Sequence, residues 1–212
     1  MRTKEQISEI IRLLELEYPE AECSLQYEKD YELLFAVRLA AQCTDERVNL
    51  ITPALYAAFP TLESFAEASA EEVEPYVHSC GFYHGKARDI VGAARMLVSE
   101  YGGKVPGNMD DLLKLPGVGR KTANLILGDI FRAPGSVVVD THCIRLTNRI
   151  GMIDGVKEPG KLETLLRPQL PEDKSSDFCH RMVLHGRAVC QARKPLCESC
   201  CIKHLCKAFT GE

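Results

Sequence analysis

Lys121 stands in the stretch LPGVGRKTAN, residues 115–124, directly behind two glycines and beside a second cation, Arg120. A lysine that opens a helix is opposed by the positive end of the helix dipole, by a fraction of a kcal/mol up to about 2 kcal/mol. Like charge from Arg120 and partial burial would push the amine further toward its free base, the form that attacks an electrophilic carbon. Lys121 has two readings: a nucleophile, or a second cation laid against a phosphate. Gly117 and Gly119 serve either one. Bare backbone lets hairpin amides approach a phosphate closely, and the helix behind them adds unpaired N–H groups at its positive end. Such a contact gives affinity for a nucleic-acid backbone without sequence choice. A plain glycine-rich turn would explain a lone GxG, and fits the longer run LPGVGRKTA less well.

A carboxylate that could work with this amine is Asp140, in VVVDTHCIRL, where apolar extended chain meets a helix start. Capping a helix N-terminus is the commonest task of Asp in that position. The cap and a chemical role are compatible, because a cap fixes the carboxylate while one oxygen still faces outward. Cleavage of a glycosidic bond needs such a group, to stabilise an oxocarbenium-like centre or to accept a proton.

Ten cysteines are the third feature. The N-terminus MRTKEQISEIIRLLELEYPE carries charges throughout, without the apolar core of a signal peptide, and nothing later approaches a membrane span. A cytoplasmic protein is expected, with reduced cysteines that favour metal or cluster ligation over disulfides. Cys190, Cys197, Cys200 and Cys206 have the spacing C-x6-C-x2-C-x5-C. Zinc sites usually pair two close C-x2-C hooks, and this segment has one, so four thiolates from one compact stretch suit an iron–sulfur cluster better, with zinc as the alternative. Cys201 is a surplus neighbour. Cys23, Cys43, Cys80, Cys143 and Cys179 are scattered and read as small buried hydrophobes. Arg193 and Lys194 lie in the loop QARKPL between the first two cluster cysteines, either as a basic tip or as a solvated charge pair. A tip matters because the net charge is −4, which counts against nucleic-acid binding unless a local basic surface supplies it. Arg120, Arg145, Arg149 and Arg187 could complete that surface.

The elements that must position these groups are helical. At 212 residues, 45% hydrophobic and 26% charged, the chain has the balance of a globular protein with a real core. Thr3 with Gln6, and Ser69 with Glu72, form capping boxes. Pro19 closes the first helix, YELLFAVRLAAQ reads as a buried helix, and Pro53 should end a first turn or kink the helix that holds it. GKARDIVGAARMLVSEY ends at Gly102 and Gly103, and NMDDLLKL leads into the hairpin. VVVD has no partner strand and reads as buried extended chain. An all-α protein is expected.

Taken together, LPGVGRKTAN, VDTHCIRLTNRIG and the cysteine spacing resemble the endonuclease III family of base-excision DNA glycosylases, in that order along the chain. The likeness extends to LLFAVRLAAQCTD, GFYHGKA and LHGRAVCQARKPLC, so it covers nearly the whole chain. The resemblance implies a two-domain helix-hairpin-helix fold: a six-helix barrel over residues 22–133, and a [4Fe-4S] cluster domain from residues 1–21 and 134–212. It implies a monomer acting on damaged double-stranded DNA, with an oxidised pyrimidine flipped into a cleft. Lys121 would then attack the anomeric carbon, displace the base and form a Schiff base, and β-elimination would cut the strand (AP lyase activity). Asp140 matches the catalytic aspartate, and Cys190, Cys197, Cys200 and Cys206 match the cluster ligands. Gln42 matches the residue that fills the gap left by the flipped nucleotide. Phe82 stands where the family more often has a wedge leucine. Gly117, Gly119, Arg120, His142, Arg145, Arg193 and Lys194 complete the expected DNA contacts. Two further readings are an adenine-mismatch-type monofunctional glycosylase and a non-catalytic hairpin protein that holds distorted DNA; neither needs Lys121 and Asp140 together.

Overall fold

The computed structural model describes residues 1–211. Its helices are α1 (Lys4–Glu17), α2 (Asp30–Ala40), α3 (Asp45–Ala58), α4 (Leu62–Glu67), α5 (Ala70–Val77) and α6 (Tyr83–Glu100). They continue as α7 (Met109–Leu112), α8 (Arg120–Asp129), α9 (Thr141–Ile150), α10 (Pro159–Leu166), α11 (Ser175–Ala188) and α12 (Lys207–Thr210). Among the described residues there is no strand, so the fold is all-α as expected, and no helix is long and apolar enough to cross a membrane. The chain divides into two compact units, Cys23–Phe131 and Met1–Glu22 with Arg132–Glu212.

In the first unit, α2 buries Leu33, Leu34, Phe35, Ala36 and Leu39, and packs against α3, α6 and α8. Residues apolar on most sides make this helix a core element rather than a surface one. Phe65 of α4 anchors an aromatic cluster, its ring centroid 5.0 Å from both Phe35 and Phe59. Of the two expectations for Pro53, an ended turn or a kink, the first does not hold: the helix continues through it to Ala58. Thr44 caps its start, and Val48, Thr52 and Leu55 bury one face on both sides of the proline, so packing outweighs one missing N–H. The helix α6 starts at Tyr83 rather than at Gly85 and closes as expected, with Gly103 N–H donating to Leu97 O at 2.9 Å.

The hairpin between α7 and α8 is seated on α2 and α6. Its turn closes through Val118 N–H to Leu115 O at 3.1 Å. Pro116 lies over Gly92 of α6, where an added Cβ would stand 3.2 Å from the proline ring. Gly117 has φ +75°, and a Cβ on it would come within 2.7 Å of Arg38 Cδ and Nε. Arg38 Nε in turn donates to Asp89 Oδ2 at 2.6 Å. Neither the backbone angle nor the space leaves room for a side chain.

In the second unit the N-terminal helix joins the C-terminal half. The Thr3–Gln6 capping box forms, and Ile7, Ile10, Ile11 and Leu14 bury the face that meets α11. Arg2 N–H reaches Gly151 O at 3.0 Å, Lys174 pairs with Glu15 at 2.9 Å, and Arg181 Nε donates to Tyr18 O at 3.1 Å. Val137, Val138 and Val139 are buried extended chain leading to Asp140.

Gly117→Ala is expected to destabilise the protein by about 1–3 kcal/mol through the forced backbone angle alone, or roughly 2–4 °C in Tm per kcal/mol. Thermal melts beside Gly103→Ala, another glycine with positive φ but nothing within 4 Å of its Cβ position, separate the crowding by Arg38 from the backbone term.

Candidate functional site

Lys121 is the second residue of α8, so its backbone lies among the unpaired N–H groups of the helix start. Its side chain is exposed, which corrects the expectation of partial burial. The reason is local: the buried face of α8 begins at Ala123 and continues through Asn124, Leu125, Ile126 and Leu127, and Lys121 lies before it. Gly119 caps the helix without a side chain, leaving the end open to an anion.

Asp140 is the N-cap of α9. Its Oδ1 accepts from Cys143 N–H at 2.7 Å, and no hydrogen bond to Oδ2 is formed among the described residues. The residue is half-buried. One oxygen therefore holds the carboxylate rigid while the other stays available, the arrangement the two compatible roles require.

Gln42 and Phe82 come together. Both line one groove of about 530 Å³ in the first unit, with Arg38, His84 and Arg88 also in its wall. Both residues also have positive φ, 56° at Gln42 and 48° at Phe82. A non-glycine residue in that region is uncommon, costs about 1–3 kcal/mol, and collects at ligand clamps. Phe82 is 75% exposed, which rules out a core phenylalanine.

The cysteine segment forms a chain of turns after α11. Cys190 N–H donates to His185 O at 2.8 Å, and Leu196 N–H to Val189 O at 2.9 Å, closing the loop between them. Arg149 donates from Nη1 to Gln191 O at 2.8 Å and from Nη2 to Ala192 O at 2.7 Å, so it clamps the start of the loop. Arg145 donates to Cys190 O from Nε at 3.2 Å and to Gly186 O from Nη2 at 3.1 Å. Its Nη2 also lies 3.1 Å from His142 Nδ1. Gly186 permits this approach, since a Cβ there would collide with His142 Nδ1. The expected DNA contacts Arg145 and His142 are thus engaged within the protein, whereas Arg193 and Lys194 are exposed on the loop they brace.

All four expected cluster cysteines are half-buried. Burial pushes the Cys200 thiol up to about 11, with Cys201, Cys206 and Cys190 adding to the effect. Burial likewise raises Cys206, with contributions from Cys190 and Cys197, so the four sulfurs are near enough to feel one another. Among the described residues, no three His, Cys, Asp or Glu side chains converge tightly enough to hold one metal ion. Iron and sulfide atoms would stand between the thiolates of a cluster, so its ligands ring a larger body than a single ion. His185 faces the segment with Nε2 3.3 Å from Cys200 Sγ, and Tyr18 OH lies 3.0 Å from Nδ1. Burial holds the His185 pKa down to about 4 and the Tyr18 phenol up to about 12.

Residues 35–172 match the family described as HhH-GPD superfamily base excision DNA repair protein. The endonuclease III of Synechocystis sp. is 45% identical over 203 residues, 96% of this chain and 92% of that protein. The chain belongs to the endonuclease III family. Its fold superposes on a solved non-covalent endonuclease III–DNA complex with a TM-score of 0.92, at 38% identity, over 100% of this chain and 98% of the other. A trapped endonuclease III–DNA covalent intermediate, an estranged-adenine complex, matches with the same score and identity over 100% and 99%.

Sequence reading missed Arg38, His84 and Arg88 at the groove and Lys86 beneath it. Lys86 left a signal: it falls on the same face of α6 as Ile90, Ala94 and Leu97, where a lysine is out of place.

Asp140→Ala should cost about 1 kcal/mol through loss of the cap, lowering Tm by roughly 2–4 °C. Asp140→Asn should melt like the parent. Phe82→Ala should stay within about 0.5 kcal/mol of it, as an exposed residue does. Thermal denaturation of the three variants checks all of this.

Proposed function

We propose that this chain is a bifunctional base-excision DNA glycosylase that removes oxidised pyrimidines from duplex DNA and then cuts the strand as an AP lyase. The observation that carries the reading is Lys121 at the open, positive end of α8, behind a hairpin whose Gly117 has no room for a side chain. Kinship with a protein trapped as a covalent DNA intermediate supports it.

The hairpin amides and Arg120 bind the phosphates that flank the lesion, and Phe82 and Gln42 enter the duplex as the damaged nucleotide leaves the stack. Insertion of a side chain offsets part of the few kcal/mol that unstacking costs. Arg193 and Lys194 extend the phosphate contact along the loop. The free amine of Lys121 attacks the anomeric carbon; the glycosidic bond breaks and its electron pair leaves with the base, which takes up a proton. Asp140 stabilises positive charge as it develops on the sugar and accepts the proton released by the attacking nitrogen. Ring opening gives an imine between Lys121 and the sugar. Loss of a proton from the adjacent carbon then expels the 3′ phosphate, and water releases the lysine. The free oxygen of the Asp140 carboxylate is what this role requires.

Cys190, Cys197, Cys200 and Cys206 would hold a [4Fe-4S] cluster, and through those four thiolates the C-terminal turns would be tied to one another. The chain's own residues do the rest: Arg145 and Arg149 fix the loop that carries Arg193 and Lys194. The protein acts as a monomer in the cytoplasm.

Lys121→Ala should abolish base release and strand cleavage while leaving affinity for a damaged duplex within about threefold, because the hairpin amides remain. Asp140→Asn should fold yet slow single-turnover base release by about two to four orders of magnitude. Base release at the parental rate in Lys121→Ala would point to a monofunctional enzyme. Anaerobically purified protein should be brown with about four irons per chain. Cys190→Ser and Cys206→Ser should lose iron, and Cys201→Ser should keep it. Stoichiometric zinc in colourless protein would overturn the cluster.

A further inference from the structure

The α2 helix ends at Ala40, and its last turn leaves carbonyls that no helical N–H can reach. A short 3₁₀ turn, His78–Cys80, ends beside it with the same need. One side chain serves both ends. Lys86 of α6 is 1% exposed, and its Nζ donates to Leu39 O at 2.8 Å and to Cys80 O at 2.7 Å. Among the described residues the ionisable groups that act on the amine are the thiols of Cys80 and Cys43 and the guanidinium of Arg38, with no carboxylate among them. A buried amine held by two carbonyls is costly to desolvate, and its retention asks for a reason beyond filling space.

The reason lies in the residues just beyond each carbonyl. Three residues after Leu39 the chain reaches Gln42 with φ 56°, and two residues after Cys80 it reaches Phe82 with φ 48°. Both strained residues lead into the groove that Lys86 underlies. Backbone held in that region persists only where its surroundings over-determine it. Bonding to both segments at once makes the distance between them a property of one side chain.

We propose that Lys86 is a positioning residue for base flipping: it fixes Gln42 and Phe82 relative to each other so that both can enter the duplex together. The assignment rests on the insertion of Gln42 and Phe82 proposed above. Lys86 touches no reacting atom, so it matters where a paired base must be displaced and is dispensable where none is.

The test compares Lys86→Met, which keeps the stem and loses the donors, with Lys86→Gln, which keeps an N–H donor on a shorter stem. Phe82→Ala and Gln42→Ala serve as controls. Single-turnover base release from a thymine glycol paired in duplex DNA should slow roughly 10- to 100-fold in Lys86→Met, with borohydride trapping on a single-stranded abasic site within about twofold of the parent. Lys86→Gln should lie between the two. Hydrogen exchange in wild type and variant should show faster amide exchange confined to residues 40–43 and 80–83. Equal loss on both substrates, no loss on the paired lesion while the two controls are impaired, or failure of both Lys86 variants to fold would overturn the assignment. Unimpaired controls would instead reject insertion itself, and the positioning role would fall with it.

Discussion

The hairpin that presents Lys121 depends on contact between backbone and an ion pair. Gly117 lies against Arg38, and Arg38 is held by Asp89 at 2.6 Å. In the proposed phosphate contact Gly117 leaves its amide uncovered, and the turn takes its support from beneath. Arg38 comes from the buried helix α2 and Asp89 from α6, which ties the turn to the two helices at the centre of their unit. The same Arg38 reaches the wall of the groove where Gln42 and Phe82 project. One ion pair thus underlies both the hairpin turn and the edge of the groove that Gln42 and Phe82 line.

Elsewhere the protein uses one group for two tasks. The Asp140 carboxylate caps the start of α9 with one oxygen, and the proposed chemistry uses the other. Arg145 and Arg149 satisfy carbonyls at the end of α11 and in the loop beyond, and by doing so hold an exposed basic loop in place. In the proposed function, this answers the difficulty that a net charge of −4 poses for DNA binding. Affinity for phosphate needs cations at the right points, and loops held by internal arginines supply them without making the whole surface basic.

The features legible in the sequence are largely local. Thr3–Gln6 and Ser69–Glu72 are contacts between residues three apart, so their capping boxes can be read directly and are present. The glycines and proline of LPGVG likewise announce a turn, and Asp140 announces a cap. Contacts between distant segments leave little trace. Nothing in the spacing says that Arg149 will meet Gln191 and Ala192, or that Lys86 will meet a carbonyl 47 residues earlier. Two of the corrected expectations have the same origin. Lys121 is expected to be partly buried, but the buried face of a helix is fixed only when its partner is known. Proline chemistry alone allows Pro53 to end a turn, yet burial on both sides carries α3 past it.

The proposed chemistry turns on whether the nitrogen that bonds to the sugar is that of Lys121. Wild-type protein incubated with a duplex containing thymine glycol, reduced with borohydride and digested, should yield one peptide carrying the reduced sugar adduct, and fragmentation should place it on Lys121. An adduct on the N-terminal amine or another lysine, or complete base release with no adduct on any peptide, would contradict it.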